Sequence, residues 1–217
     1  MALLARSFAP AAGQGPRQPA AGNPVRVNAP LLRRLVESLS TERRSVVLDL
    51  GPVRPATVSL LTPFRCRLEI VSLADGLHEL ESTEGLDGPP DAGLLQERAE
   101  ALLPPPRPEP VDIVLCWDLL NYLDRPALTA LMDRVAARMR PGGLLHALIA
   151  YSSPRMPARP NEFSPHADGS LVEVTTTTEL RNAPRYSAED MRRCLRSFRS
   201  DGATLLKNGM QEQLFRA

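Results

Sequence analysis

The spacing of apolar positions changes several times along residues 111–150. Residues 111–115 (VDIVL) are apolar except for Asp112, a short continuous run that suits a strand buried on both faces. Asp124 and Pro126 then start a helix, because a carboxylate caps free N–H groups and proline fits the first turn. Leu128, Leu131, Val135 and Met139 recur at helical spacing, with Asp133, Arg134 and Arg138 on the opposite side. Pro141, Gly142 and Gly143 stop this helix, and residues 144–150 read as a second buried strand. A strand–helix–strand crossover of this kind builds parallel sheets with helices on the faces.

The earlier half repeats the design. Asn28 and Pro30 suit a helix start before Leu31, Leu32, Leu35, Val36 and Leu39. Residues 45–50 (SVVLDL) predict a buried strand ended by Gly51, residues 55–61 a short helix, and residues 67–73 the next strand. Residues 91–103 predict a helix, and the prolines from 104 to 110 a stiff lead into the following strand. Residues 74–110 show no convincing strand. Residues 152–185 form a proline-rich excursion with one strand-like run at 171–178, either a cap over the site or a floppy insertion. Residues 187–195 begin like a capped helix, and Asn208-Gly209 between two strand-like runs predicts a hairpin.

Bulk composition narrows the function. A formal charge of +1 gives no field to recruit nucleic acid or an acidic membrane surface. No apolar run approaches the roughly 20 residues that cross a bilayer. Cys66, Cys116 and Cys194 show no disulfide or zinc spacing, so a reducing, cytoplasmic setting is expected and no metal. Residues 1–27, rich in Ala, Pro, Gly, Gln and Arg, predict a disordered tail ahead of a domain over 28–217. The tail lacks acids, as a transit peptide would, but its prolines and scarce serine argue against import.

"VDIVLCWDLLNYL", a helix, then "MRPGGLLHALI" resembles strands four and five of the class I S-adenosylmethionine-dependent methyltransferases. "SVVLDLG" resembles their first strand, and "RYSAEDMRRCL" with "LLKNGMQEQLFRA" their last helix and closing hairpin. The resemblance implies an α/β three-layer sandwich: a mostly parallel, doubly wound, Rossmann-like sheet closed by a C-terminal antiparallel hairpin. It also implies S-adenosylmethionine as cofactor and methyl transfer to a small-molecule acceptor. The alternative is a catalytically inactive relative, a binding or regulatory module on the same fold. A nicotinamide dehydrogenase fits less well, since its Gly-x-Gly-x-x-Gly fingerprint is met only at Gly51.

In such a sheet, ligands bind beyond the carboxyl ends of the strands where their order reverses. The resemblance places Asp49, Gly51, Val53, Ser72, Asp75, Trp117 and Asp118 at the cofactor, and Asp118, Asn121 and Tyr122 at the chemistry. The family's Asp/Glu-x-Gly-x-Gly-x-Gly loop reads here Asp49-Leu50-Gly51-Pro52-Val53-Arg54-Pro55. Only the first glycine is kept; Val53 brings a branched side chain to a backbone-approach position, and Pro52 removes a donor. Ser72 stands where an acidic side chain normally takes the ribose hydroxyls, with Asp75 three residues on as a substitute. Trp117, Tyr122 and Tyr151 fall at one sheet edge, where rings either stack on adenine or pack as core. Asp118 is the candidate base or polariser, and Asn121 or Tyr122 would orient the acceptor. His166 is a weaker candidate base. His78, His146 and Cys116 read as structural.

Overall fold

The computed structural model describes residues 22–80 and 91–217. Among these described residues there are eleven strands and five α-helices, beginning with β1 (Pro24–Asn28), α1 (Pro30–Glu37), β2 (Ser45–Asp49), α2 (Pro55–Leu61), β3 (Cys66–Ile70), α3 (Ala92–Leu102) and β4 (Val111–Leu115). They continue as α4 (Arg125–Ala136), β5 (Met139–Ala150), β6 (Arg155–Pro157), β7 (Glu162–Pro165), β8 (Ser170–Val174), β9 (Leu180–Asn182), α5 (Ala188–Cys194), β10 (Arg199–Leu205) and β11 (Met210–Arg216).

The central sheet has the order β10-β11-β5-β4-β2-β3. β3, β2, β4 and β5 are parallel, and β11 pairs antiparallel with both β5 and β10. Successive residues of a strand face opposite sides. Val46 and Leu48 therefore join Val114 in one core, packed with Leu95, Leu128 and Met191 of α3, α4 and α5. Val47, Ile113 and Leu115 enter a second core with Leu31, Leu32 and Leu35 of α1 and Leu61 of α2. Helix, sheet and helix make three layers.

Asp112, the odd polar residue in β4, accepts from Val46 N at 2.8 Å and Arg140 Nε at 2.7 Å. It satisfies a strand-start N–H that would otherwise be orphaned. Asp124 caps α4 through Ala127 N, and Ser187 forms a capping box on α5. β5 begins at Met139, earlier than expected, and absorbs Pro141 to Gly143 in an irregular pairing with β4.

The N-terminal expectations change at two points. Pro24–Asn28 is not tail but a strand, paired antiparallel with Ser170–Val174; residues 1–21 of the expected tail lie outside the described residues. Asn28 consequently belongs to β1 and does not cap α1, whose N-cap residue, Ala29, makes no side-chain cap. Residues 152–185 carry β6 to β9. β7 and β8 join β1 in a three-stranded sheet, and β6 pairs with β9. Among the described residues of 74–110 there is a single-turn 3₁₀ segment and α3, but no strand.

Candidate functional site

β2 and β4 lie side by side, Asp49 opposite Leu115, and their chains leave in opposite directions, toward β3 on one side and β5 on the other. A crevice opens at that reversal. Its cavity, 570 Å³, is lined from the sheet by Gly51, Ser72, Asp75, Trp117, Asp118 and Tyr122. Its roof is the stretch from Ala158 to Phe163, entering β7. The roof is pinned by a 2.5 Å Arg54–Glu162 ion pair and by Phe163, which stacks on Trp117 at 5.9 Å. Six residues expected at the site thus line one cavity.

Asp49 lies beneath this cavity, fully buried, with Oδ1 accepting from Gly51 N at 2.9 Å and Trp117 Nε1 at 2.6 Å. Its Oδ2 is buried without a partner. Burial pushes its carboxyl up to about 6, against the lowering pull of those two donors. Trp117 has a positive φ of 50°, which turns the indole back over the loop. The ring is 4% exposed, with Phe163 on one face and His146 at its edge. Of the two readings of this ring, stacking on a ligand or packing as core, the structure shows the packing: Phe163 covers one face, and the residue keeps only a small exposed part at the cavity. Val53 also departs from expectation: it is 68% exposed and lines neither large cavity, so it neither contacts nor blocks the crevice.

The retained glycine has a local cause. A Cβ on Gly51 would stand 2.6 Å from Trp117 Cδ1 and 2.7 Å from Nε1. The indole is pinned by Asp49 and Phe163 and cannot yield cheaply. Gly51→Ala is expected to cost about 1–3 kcal/mol and to shift the emission of Trp117, the chain's one tryptophan. An unchanged melting temperature and spectrum would show that the loop has room the packing denies.

A second cavity, 510 Å³, lies behind the first and shares three residues with it: Asp118, Tyr122 and Asn161. Its walls include Val27, Ala150, Met156, Leu180 and Met210. Asp118, only 2% exposed, accepts Asn161 N on Oδ2 at 3.0 Å and leaves Oδ1 unpartnered. Burial pushes Asp118 up to about 8; the Asn161 N–H pulls it down, the charge of Glu173 raises it further, and its own N–H and the Tyr122 hydroxyl pull it down again more weakly. A carboxyl poised near neutral pH between two chambers can take or give a proton.

Asn121 is not available to orient a substrate. Its Nδ2 donates to the carbonyls of Asp118 and Leu148, and its Oδ1 accepts from Ala150 N, all at 2.8 Å. It ties the turn after β4 to β5. The Tyr122 hydroxyl lies 2.8 Å from Arg159 O and 3.2 Å from Pro157 O, so it anchors the roof while its ring borders both cavities. Burial raises its pKa, so it stays a neutral phenol. Tyr151 lines the second cavity with an exposed ring. His78 stands at the rim of the first; His166 lies apart, in a shallow depression beside α1. His146 is fully buried 2.9 Å from Glu212, and Cys116 is buried with its thiol pKa raised by desolvation.

Sequence reasoning missed Asn161 and Glu173, both on the excursion. Glu173 had a legible signal: in LVEVT it shares the inward-facing parity of Leu171 and Thr175, and all three are buried. Asn161 had none, being fixed by an irregular loop.

No family profile matches the sequence, and no curated protein is significantly similar to it. Solved structures do align. The 1,6-didemethyltoxoflavin-N1-methyltransferase of Burkholderia thailandensis shares 18% identity over 85% of this chain and 77% of its own, with a TM-score of 0.45. An S-adenosylmethionine-dependent methyltransferase from Clostridium acetobutylicum shares 13%, over 86% and 88%, at 0.47. The N-methyltransferase NodS of Bradyrhizobium japonicum shares 16%, over 86% and 83%, at 0.43. The strand order decides the architecture independently: four parallel strands wound both ways from β2 and β4, closed by an antiparallel hairpin. The fold is a doubly wound, Rossmann-like sheet closed by a C-terminal antiparallel hairpin. No helix among the described residues is long and apolar enough to cross a membrane, and none of their His, Cys, Asp and Glu groups could hold a metal ion.

Proposed function

We propose that the protein transfers a methyl group from S-adenosylmethionine to a small-molecule acceptor. The observation that carries this reading is the pair of cavities meeting at Asp118, Tyr122 and Asn161. One chamber for a donor and one for an acceptor, with an ionisable group on their shared wall, is the arrangement a transfer reaction needs. Each volume falls within the usual range for small-molecule sites.

The residues around the first chamber suit the cofactor. Ser72 and Asp75, exposed on its rim, would take the ribose hydroxyls, and the 51–54 loop would take the amino-acid portion. The cofactor would supply an electrophilic methyl carbon on a sulfonium. The chain's own contribution is to align the acceptor, to exclude water with the pinned roof, and, in the fraction of molecules whose Asp118 is ionised, a fraction that grows toward about pH 8, to receive on that carboxylate the proton an O–H or N–H acceptor gives up. Asn161 N and the buried surroundings hold that carboxyl in place.

A second reading, a binding module that has lost the cofactor, is favoured by one observation. The Gly51 N–H is already consumed by Asp49, and the Trp117 indole lies against that glycine. Titration with S-adenosylmethionine and S-adenosylhomocysteine, read by calorimetry and by Trp117 emission, separates the two. Saturable binding at roughly micromolar ligand, a free energy near −8 kcal/mol, is expected of the enzyme. Silence at millimolar concentrations would end the transferase proposal and leave the module.

A further inference from the structure

The inner wall of the second cavity carries buried acceptors. Two buried carboxyls approach it: Asp118 at the end of β4 and Glu173 on β8, 5% exposed. Glu173 takes Asn161 Nδ2 at 2.6 Å and Asn208 Nδ2 at 2.8 Å. These contacts fix the Asn161 amide, since the reverse flip would set its oxygen against the Glu173 carboxylate. Asn161 Oδ1 is then left without a donor. Asp118 has the Tyr122 hydroxyl beside it, but the carbonyls of Pro157 and Arg159 already engage that hydroxyl, and Asp118 Oδ1 makes no close hydrogen bond. Both atoms are buried, on residues that line the cavity.

Neither carboxyl is paired with a cation among the described residues. The cationic side chains that line this cavity are Arg26, Arg155 and Lys207, all exposed. Arg26 is bound to Asp168 at 2.5 Å, and an Arg155 guanidinium nitrogen donates to Leu180 O at 3.1 Å. Buried carboxylates are ordinarily paired or fully hydrogen-bonded. The unpartnered Asn161 amide oxygen, with two buried carboxyls beside it that no cation pairs, is complementary to a ligand that brings N–H groups and positive charge; a cation at Asp118 favours the ionised carboxylate over the protonated form. The walls set the rest of the ligand: Val25, Val27, Met156, Met210 and the Tyr122 ring favour an apolar body.

We infer that this cavity binds an organic amine, a primary or secondary ammonium on an apolar body, whose N–H groups are held by Asp118 and Asn161 with Glu173 supplying further negative charge. Naming that amine as the methyl acceptor rests on the transferase reading; its binding does not. An alcohol of the same shape would satisfy the acceptors only in part, and a carboxylate would be repelled by the inner wall.

The test uses the full chain without cofactor and three probes of matched skeleton: phenethylamine, 2-phenylethanol and phenylacetate, titrated by calorimetry near neutral pH. The amine is expected to bind saturably and at least about ten-fold tighter than the alcohol, with no binding of the carboxylate. Asp118→Asn is expected to lower amine affinity about ten-fold or more while moving the alcohol less than about two-fold. Glu173→Gln, read in the same way, covers the case in which Asp118→Asn fails to fold. Equal affinities for amine and alcohol, preference for phenylacetate, silence of the amine, or undiminished amine binding in the folded variants would overturn the inference. Amine binding without S-adenosylmethionine binding would uphold this site and remove the transferase reading. Cofactor binding with an indifferent amine panel would do the reverse.

Discussion

Asp118→Asn is expected to stabilise the folded protein by an amount that grows with pH. In the native chain the carboxyl is buried and its pKa lies near 8, whereas an exposed aspartate titrates near 3.8. The folded state therefore holds a proton that the unfolded state releases. A raised acid pKa contributes stability at low pH that is lost as pH climbs toward the folded value. Between about pH 4 and about pH 8 the loss accumulates at about 1.4 kcal/mol per unit, on the order of 6 kcal/mol in all. Asparagine keeps the acceptor for Asn161 N and carries no charge. Variant and native protein should melt alike below about pH 4, and the variant should melt several degrees higher near about pH 9. Asp49, also raised, titrates in both proteins and cancels from the comparison. Denaturant midpoints across this range test the point; a difference independent of pH would show that Asp118 ionises freely and that the wall between the chambers is wetter than the geometry implies. If the transferase reading holds, the same variant should lose activity toward acceptors that must shed a proton, a typical general-base loss being about 100- to 10,000-fold.

Glu212→Ala is expected to cost about 3–5 kcal/mol, a large part of a single domain's stability. Glu212 on β11 is fully buried and does three things at once. Its Oε2 accepts Leu31 N at 3.0 Å, its Oε1 accepts Leu32 N at 2.7 Å, and its Oε1 lies 2.9 Å from His146 Nε2. α1 has no side-chain cap of its own and no acid in its first turn, so a carboxylate about 180 residues away closes its N-terminus. Removing it orphans three buried groups, each worth about 1–3 kcal/mol unless the packing relaxes. Amide exchange at Leu31 and Leu32 should accelerate ahead of the rest of the chain, and Glu212→Gln should fall between alanine and native. Unchanged exchange at those two amides would mean that α1 is held by its apolar face alone.

The two functional halves of the site differed in how far they could be read in advance. The strand ends carrying Gly51, Ser72, Asp75 and Asp118 follow from chain order, because a parallel sheet sends every strand's carboxyl end to one edge. Their gathering around one cavity is a consequence of periodicity and topology. Individual roles were not legible in the same way. Trp117 stands where a ring can meet a ligand, but its N–H finds Asp49 and its face finds Phe163, partners 68 and 46 positions distant. Asn121 carries the amide expected of a substrate contact, yet nearby main-chain groups consume both ends of it. Val53 is bulky for a cofactor loop, but the turn points it to solvent.

The roof shows the same division. Alternation within residues 171–175 marks a strand, since a strand's period of two is local. What it pairs with is not local: β1, more than 140 residues earlier, completes the sheet with it.

The sequence by itself determined the period of the segments that build the central sheet, its flanking helices and the closing hairpin, and with them the edge at which a ligand site must lie; the strand at Pro24–Asn28 and three of the four in residues 152–185 were not among them. Only the tertiary structure decided which polar side chains are spent on the fold and which are left over. Hydrogen-bond partners are chosen by proximity in space, and for Asp49, Asp118, Asn161, Glu173 and Glu212 key partners lie far along the chain. Local propensity carries no record of those pairings.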